Sequence, residues 1–423
     1  MFAVARSPRP GLAAAAFRPL RTAHGKAILP PGSATAANHA DAQYSFSTDA
    51  DVSPPISLST TFTCSDDGGG HIYSRISNPT RDRAETLLAA IESSPTTTAH
   101  AVLYSSGLSA TFAALGRLLP KRVAIAGGYH GTHQVLDQMR RLSVNALCET
   151  VPLPSPEELF AHAKSPSASA HSIAAGDVLW LETPKNPTCD VADIRAYVAA
   201  ARAIGGVTVI VDGTFAPPPL QRPLDLGADM VMHSTTKALS GHSDAIGGAL
   251  CVADAEMAAA LRADRTPLGS TPGNLEAWLL IRSLRTLHLR VARQSTTAAA
   301  LASWLQRAVD GEAGHPLAGH VASVRHPSLP TDPSHAVAAA QMPGGFGGTM
   351  AIELTTEGAA RALPAALSLF RDATSLGGVE SLIEWRRKYD DAISPTLLRL
   401  SVGLEEEADL RDDLCRAILQ VSA

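Results

Sequence analysis

Short, largely apolar runs separated by amphipathic stretches dominate the chain between residues 100 and 255. The runs lie at 101–104, 123–126, 178–181, 207–211, 230–232 and 249–252, and several are rich in Val and Ile. Amphipathic stretches such as 109–119 and 191–204 lie between them. Runs that are apolar at nearly every position, rather than at every second one, predict strands covered on both faces. Their alternation with helices predicts an α/β fold, a mainly parallel sheet with helices on both sides. Residues 274–308 read as helix throughout, with Leu275, Leu279, Leu284, Leu287 and Val291 on one broad stripe. The Pro-, His-, Ser- and Gly-rich stretch 315–345 reads as loop. A strand at 350–354, a helix near 359–370, a strand at 397–402 and a helix near 408–421 then predict a smaller α+β C-terminal domain. The expected division is an N-terminal extension over 1–50, a large domain over 51–270 and a C-terminal domain over 271–423.

Composition narrows the function classes. Of 423 residues, 45% are apolar and 18% charged, which fits a globular chain and is too apolar for a disordered one. Lys plus Arg number 35 against 40 Asp plus Glu, and this net charge of −5 argues against a nucleic-acid partner. No apolar run approaches the ~20 residues of a membrane-spanning helix, so no membrane partner is expected. Five cysteines, Cys64, Cys148, Cys189, Cys251 and Cys415, form no C-x-x-C pair, and no H-E-x-x-H occurs. Neither a metal site nor a disulfide framework is indicated, and a cytoplasmic location is expected. Residues 1–36 carry Arg6, Arg9, Arg18, Arg21 and Lys26 and no acid. That start reads either as a disordered extension or as a mitochondrial transit peptide. The glycines at 68–70 and 344–348 read as flexible turns.

In an open parallel sheet, ligands bind beyond the carboxyl ends of the strands. Five consecutive predicted strand ends carry Ser105-Ser106-Gly107-Leu108, Gly127-Gly128-Tyr129, Glu182 to Pro187, Asp212, and His233 to Lys237. Together they suit pyridoxal 5′-phosphate. Amides and hydroxyls of Gly107, Leu108, Ser234 and Thr236 can hold a phosphate. Tyr129 can stack on a flat ring, and Asn186 can donate to its phenolic oxygen. Asp212 can keep the ring nitrogen protonated. Lys237 lies amid apolar sequence, where burial would lower its pKa and let it capture the aldehyde. Asp212 as a helix N-cap and Tyr129 as core packing are the plain alternatives.

The run from Val211 through Asp212-Gly213-Thr214-Phe215, Gly227-Ala228-Asp229, Ser234-Thr235-Thr236-Lys237 and Gly241-His242-Ser243-Asp244 resembles the signature of the Cys/Met-metabolism, or transsulfuration, enzymes. So do Tyr73-Ser74-Arg75, Asn78-Pro79-Thr80, residues 182–188, Ser375-Leu376-Gly377-Gly378-Val379-Glu380-Ser381 and Leu398-Arg399-Leu400-Ser401. The resemblance implies a pyridoxal-phosphate enzyme of fold type I. It implies Lys237 as cofactor lysine and proton carrier, Asp212 as partner of the ring nitrogen and Tyr129 as ring stacker. Tyr73 and Arg75 would complete the phosphate cup of a neighbouring subunit, in a homodimer assembled into a homotetramer. Ser375, Glu380 and Arg399 would bind an amino-acid substrate, with Arg399 clamping its carboxylate unless it serves only a structural ion pair. Glu380 matches the members acting at the γ carbon, where β-eliminating members carry an aromatic residue. Cystathionine γ-lyase or γ-synthase chemistry is therefore expected. A β-lyase or methionine γ-lyase activity, or a catalytically weak homologue, stands as the alternative.

Three departures bear on substrate. Gly213 replaces the usual Asn after the aspartate. Tyr129-His130-Gly131-Thr132-His133-Gln134 lacks the usual arginine. Trp385-Arg386-Arg387-Lys388-Tyr389 replaces a Pro-x-x-Met-Thr-His segment. The last carries three cations, which either read a second carboxylate or form a solvated face.

Overall fold

The computed structural model of the protein describes residues 33–41, 52–63, 70–142, 148–165 and 172–423. Most of the acid-free start, Cys64, Gly68 and Gly69 lie outside them.

Seven strands form the larger sheet: β1 (His100–Tyr104), β2 (Arg122–Ile125), β3 (Glu149–Pro152), β4 (Val178–Glu182), β5 (Thr208–Asp212), β6 (Met230–Ser234) and β7 (Gly248–Val252). Their spatial order is β1-β7-β6-β5-β4-β2-β3, and only the β7 pairings are antiparallel. The continuous apolar runs have the expected cause. Val178, Trp180, Ile210 and Met232 pack with Ala110, Leu115 and Leu136 in one core cluster. Their neighbours Leu179, Leu181, Val209 and Val211 pack with Leu159, Ile194 and Ala201 in another. Alternate side chains of one strand thus enter cores on opposite faces.

Five strands form the smaller sheet: β8 (Val321–Arg325), β9 (Thr349–Leu354), β10 (Arg371–Asp372), β11 (Leu382–Trp385) and β12 (Leu397–Ser401), in the order β10-β11-β12-β9-β8. The C-terminal helix Glu407–Ser422 and the helix Glu357–Ala366 share its core through Leu410, Leu414, Ile418, Ala360 and Leu363. The long helix Leu287–Val309 joins the two bodies. Leu287 and Val291 belong to the core beside the larger sheet, whereas Ala298, Leu301 and Leu305 belong to the core of the smaller one.

The expected single helix over 274–308 is two, Asn274–Leu284 and Leu287–Val309. No Pro or Gly marks the break. Arg290 donates to the Ser283 carbonyl beside it at 2.9 Å and to the Ala238 carbonyl at 2.7 Å, so a side chain supplies what a capping motif would. The expected loop 315–345 contains edge strand β8 and the helix His335–Gln341. Strand β8 is bulged and largely uncovered, and so lacks the apolar signal of a buried strand.

Candidate functional site

The site lies where the carboxyl ends of β4, β5 and β6 meet the loop before β11 and the middle of β12. Lys237 follows β6 in a turn and donates from Nζ to the Ser375 hydroxyl at 2.8 Å. Enclosure and the nearby Arg399 lower its pKa to about 8, against the opposing pull of Glu384. Ser375 has φ of +87°, a left-handed conformation that costs a non-glycine residue ~1–3 kcal/mol and is held by its surroundings. Those surroundings depend on Gly377. A Cβ there would meet the Ala238 backbone nitrogen at 2.7 Å, so only glycine lets the loop lie against the lysine turn. The Gly377 amide donates to Ser401 Oγ at 2.8 Å, and Val379 N to the Gly241 carbonyl at 3.0 Å.

Arg399, in the centre of β12, is 5% exposed and fans out to three acceptors. Nη1 donates to Asn186 Oδ1 at 2.9 Å, while Nη2 donates to the Ser375 carbonyl at 2.9 Å and to Glu384 Oε2 at 2.6 Å. Lys237, Ser375, Arg399 and Asn186 therefore form one continuous hydrogen-bonded chain. Glu380 is half-buried, with Ser243 Oγ 3.5 Å from its carboxylate.

Asp212 ends β5 and is 4% exposed. Its Oδ1 accepts from Thr214 N at 3.0 Å. Burial holds its pKa above the usual carboxylate range, with the hydrogen bonds from Thr214 opposing. A desolvated carboxyl with that balance favours a cation brought to it, which is what a protonated pyridine nitrogen supplies. Beneath it, His233 Nε2 lies 2.6 Å from Glu92 Oε1, both side chains fully enclosed. The departure at Gly213 has a local counterpart, since a Cβ there would meet His233 Cε1 at 2.9 Å.

At the helix Gly107–Leu118, Ser106 caps by accepting from Ser109 N at 3.1 Å, which leaves the first-turn amides of Gly107 and Leu108 facing outward from the helix start. Gly107 packs so closely on Ser234 that a Cβ would sit 3.1 Å from that residue's Cβ. These groups fit a phosphate. The Thr236 hydroxyl accepts from Gly247 N at 3.1 Å. Tyr129 is 38% exposed, its ring against Gly131, where a Cβ would approach Cε1 to 2.5 Å. Tyr73 and Arg75 stand on an exposed arm. The arginine lies 5.5 Å over the tyrosine ring and donates to the Thr266 carbonyl at 3.2 Å, and neither of these contacts reaches Lys237 or Asp212.

Glu182, a strand end that also opens the family-like run 182–188, organises the pocket. Oε2 accepts from Tyr129 N at 2.7 Å and Oε1 from Asn186 N at 2.8 Å, so one carboxyl clamps the loops carrying Tyr129 and Asn186. It sits opposite Asp212 in the β4–β5 register. Desolvation and the Asp212 charge raise its pKa to about 8. A carboxyl with a raised folded pKa stabilises the fold fully below its unfolded value, and the contribution is lost as pH rises through about 8. The cofactor-free protein should therefore melt at lower temperature at pH 9 than at pH 6. Glu182→Gln should flatten that dependence and weaken cofactor retention. An unchanged slope in the variant, followed by thermal unfolding, would assign the effect elsewhere.

The three cations at 386–388 separate. Arg387 Nη1 donates to the carbonyls of Asp391 and of Ile393, the latter at 2.9 Å, and Lys388 lies over the Tyr389 ring. Only Arg386 turns inward, with Nη1 2.9 Å from Glu384 Oε2.

A mostly parallel sheet, a buried carboxyl at one strand end, an enclosed lysine at the next and a free helix N-terminus beside them define a pyridoxal-phosphate enzyme of fold type I. Comparison with known proteins agrees. Residues 34–419 match the family described as Cys/Met metabolism PLP-dependent enzyme, and the chain belongs to that family. Cystathionine gamma-synthase of Mycobacterium tuberculosis is 39% identical over 403 residues, 92% of this chain and 97% of that enzyme. Cystathionine gamma synthase from Xanthomonas oryzae, solved in complex with cystathionine, superposes with a TM-score of 0.81 at 35% identity, covering 93% of this chain and 99% of that one. CalE6, a methionine gamma lyase from Micromonospora echinospora, gives 0.79 at 36% identity, covering 92% and 99%. Among the described residues, no helix is long and apolar enough to cross a membrane.

Proposed function

We propose that the protein is a transsulfuration enzyme of the cystathionine γ-synthase/γ-lyase type, acting on a sulfur amino acid or an activated homoserine ester. The observation that carries this reading is the continuous chain Lys237–Ser375–Arg399–Asn186, which places a proton-carrying amine and a carboxylate-binding guanidinium on one serine. Gly107, Leu108, Ser234 and Thr236 would hold the cofactor phosphate. Tyr129 would stack on the ring, Asn186 would donate to its phenolic oxygen, and Asp212 would keep its nitrogen protonated.

When bound, pyridoxal phosphate supplies an electron sink for charge developing on the substrate's α carbon. The chain's own residues do the rest. Arg399 binds the α-carboxylate and fixes which bond at the α carbon faces Lys237. Lys237, displaced by the substrate amine, would take the α-proton, pass it to the aldehyde carbon and then take a β-proton, whose bonding pair expels the γ substituent. Ser375 holds the amine on that side of the pocket. Glu380, at the mouth, faces the distal part of the substrate. An assay against cystathionine, cysteine, homocysteine and O-acyl homoserines, with keto acids and thiols identified, tests the reading. Turnover of γ-substituted substrates is expected, and turnover of none of these would refute it.

The same reading makes the protein a homodimer with shared sites, paired again into a tetramer. Its support is the arm, where Ile56, Leu58, Ile72, Tyr73 and Ile76 are all exposed, an apolar patch that a second subunit would cover. Mixing Arg75→Ala with Lys237→Ala subunits should restore part of the activity, because hybrid dimers regain one intact site. Verified exchange without recovery would place the whole site in one chain. The four described cysteines are free thiols, three of them buried, which supports a reducing compartment, the cytoplasm or the mitochondrial matrix.

A further inference from the structure

The exchanged segment at 385–389 brings a second guanidinium to the carboxylate end of the site. Glu384 and Arg399 are direct partners in the β11–β12 register, so their side chains leave the same face of the sheet. Glu384 is 2% exposed, Arg399 5% and Arg386 7%. One oxygen, Glu384 Oε2, accepts from Arg399 Nη2 at 2.6 Å and from Arg386 Nη1 at 2.9 Å. Two buried positive charges thus share one negative charge. Arg386 gives Nη1 to Glu384, and its Nε is sealed from solvent without a partner.

Charge arithmetic gives this arrangement a purpose. Arg399 and Glu384 alone would be a closed, neutral pair. A substrate carboxylate approaching Arg399 would then meet the Glu384 charge on the same guanidinium, with no surplus cation to offset its own desolvation. With Arg386 present the group carries one net positive charge, the complement of one carboxylate. We propose that Arg386 is a positioning residue for substrate binding, which neutralises Glu384 and so leaves Arg399 available to the α-carboxylate of an amino acid. The proposal rests on the carboxylate-binding role given to Arg399 above.

The test uses the cofactor-loaded protein and reads affinity from the change in cofactor absorption on adding cystathionine, cysteine or methionine, alongside KM and kcat. Arg386→Met should weaken all three by about tenfold or more while kcat changes much less. Adding Glu384→Gln to that variant should restore most of the affinity, because it removes the charge that Arg386 offsets. Arg386→Lys should fall between. Unchanged affinities in Arg386→Met with a lower melting temperature would make Arg386 only a structural residue. A loss confined to cystathionine, which carries a second carboxylate, would make it a reader of the distal end. Further weakening in the double variant would overturn the charge argument. If Arg386→Met fails to fold, Arg386→Lys and Glu384→Gln decide by the same readouts. The absorption titration needs no turnover, so a wild-type protein inactive on every substrate would refute the proposed function while still deciding the role of Arg386.

Discussion

Lys237→Ala is expected to lower turnover by roughly 10⁴-fold or more, because one substitution removes both the amine that captures the cofactor aldehyde and the group that moves protons. The fold should survive. Lys237 sits in a turn after β6, and its side chain's hydrogen bond is to Ser375. Cofactor should still bind, weakly, through the phosphate groups and Asp212, so equilibrium dialysis should detect it where activity is lost. In the wild type, borohydride reduction followed by peptide mapping should place the cofactor on Lys237. Label on any other lysine would remove this residue from the centre of the site.

Arg399→Lys is expected to weaken binding of every amino-acid substrate by about 2–4 kcal/mol while leaving the cofactor's absorption unchanged. The reason is geometric. Arg399 spans Asn186, Ser375 and Glu384 from one planar fork, and an ammonium cannot meet three acceptors in those directions. The defect concerns the end common to all amino acids, so it should not discriminate among side chains. Spectral titration with unrelated substrates checks this, and unchanged affinity for all of them would reduce Arg399 to an ion-pair residue.

The six apolar runs, read as strands, coincide with β1, β2, β4, β5, β6 and β7, because central strands of a covered sheet are apolar on both faces. Strand β3 escaped notice for the opposite reason. It lies at the sheet edge, begins with Glu149, ends with Pro152 and buries only Val151 fully. Strand β11 was equally hidden, since Glu384 within it suggests solvent, yet the residue is enclosed by pairing with Arg399, 15 positions away. Asp212 was legible because it directly follows an apolar run, and Lys237 because it closes the short polar stretch His233 to Thr236 after the next one. The Glu182 clamp was not, because its partners are backbone amides of Tyr129 and Asn186, and an amide has no letter in the sequence. Arg386 and Lys388 likewise look alike on paper. Only the turn after β11 decides which of them faces inward.

The polar chain through the site also crosses from one hydrophobic body to the other. Lys237 and Asn186 belong to strand ends of the larger sheet, whereas Ser375 and Arg399 belong to the smaller one. The candidate site is therefore a seam, and an amino acid gripped by both sides would act as a reversible cross-link between two cores that the helix Leu287–Val309 also joins. By mass action such a ligand stabilises only the state in which both bodies are folded and apposed. A saturating amino acid would therefore raise the temperature at which the two bodies come apart, by an amount set by its concentration relative to its dissociation constant.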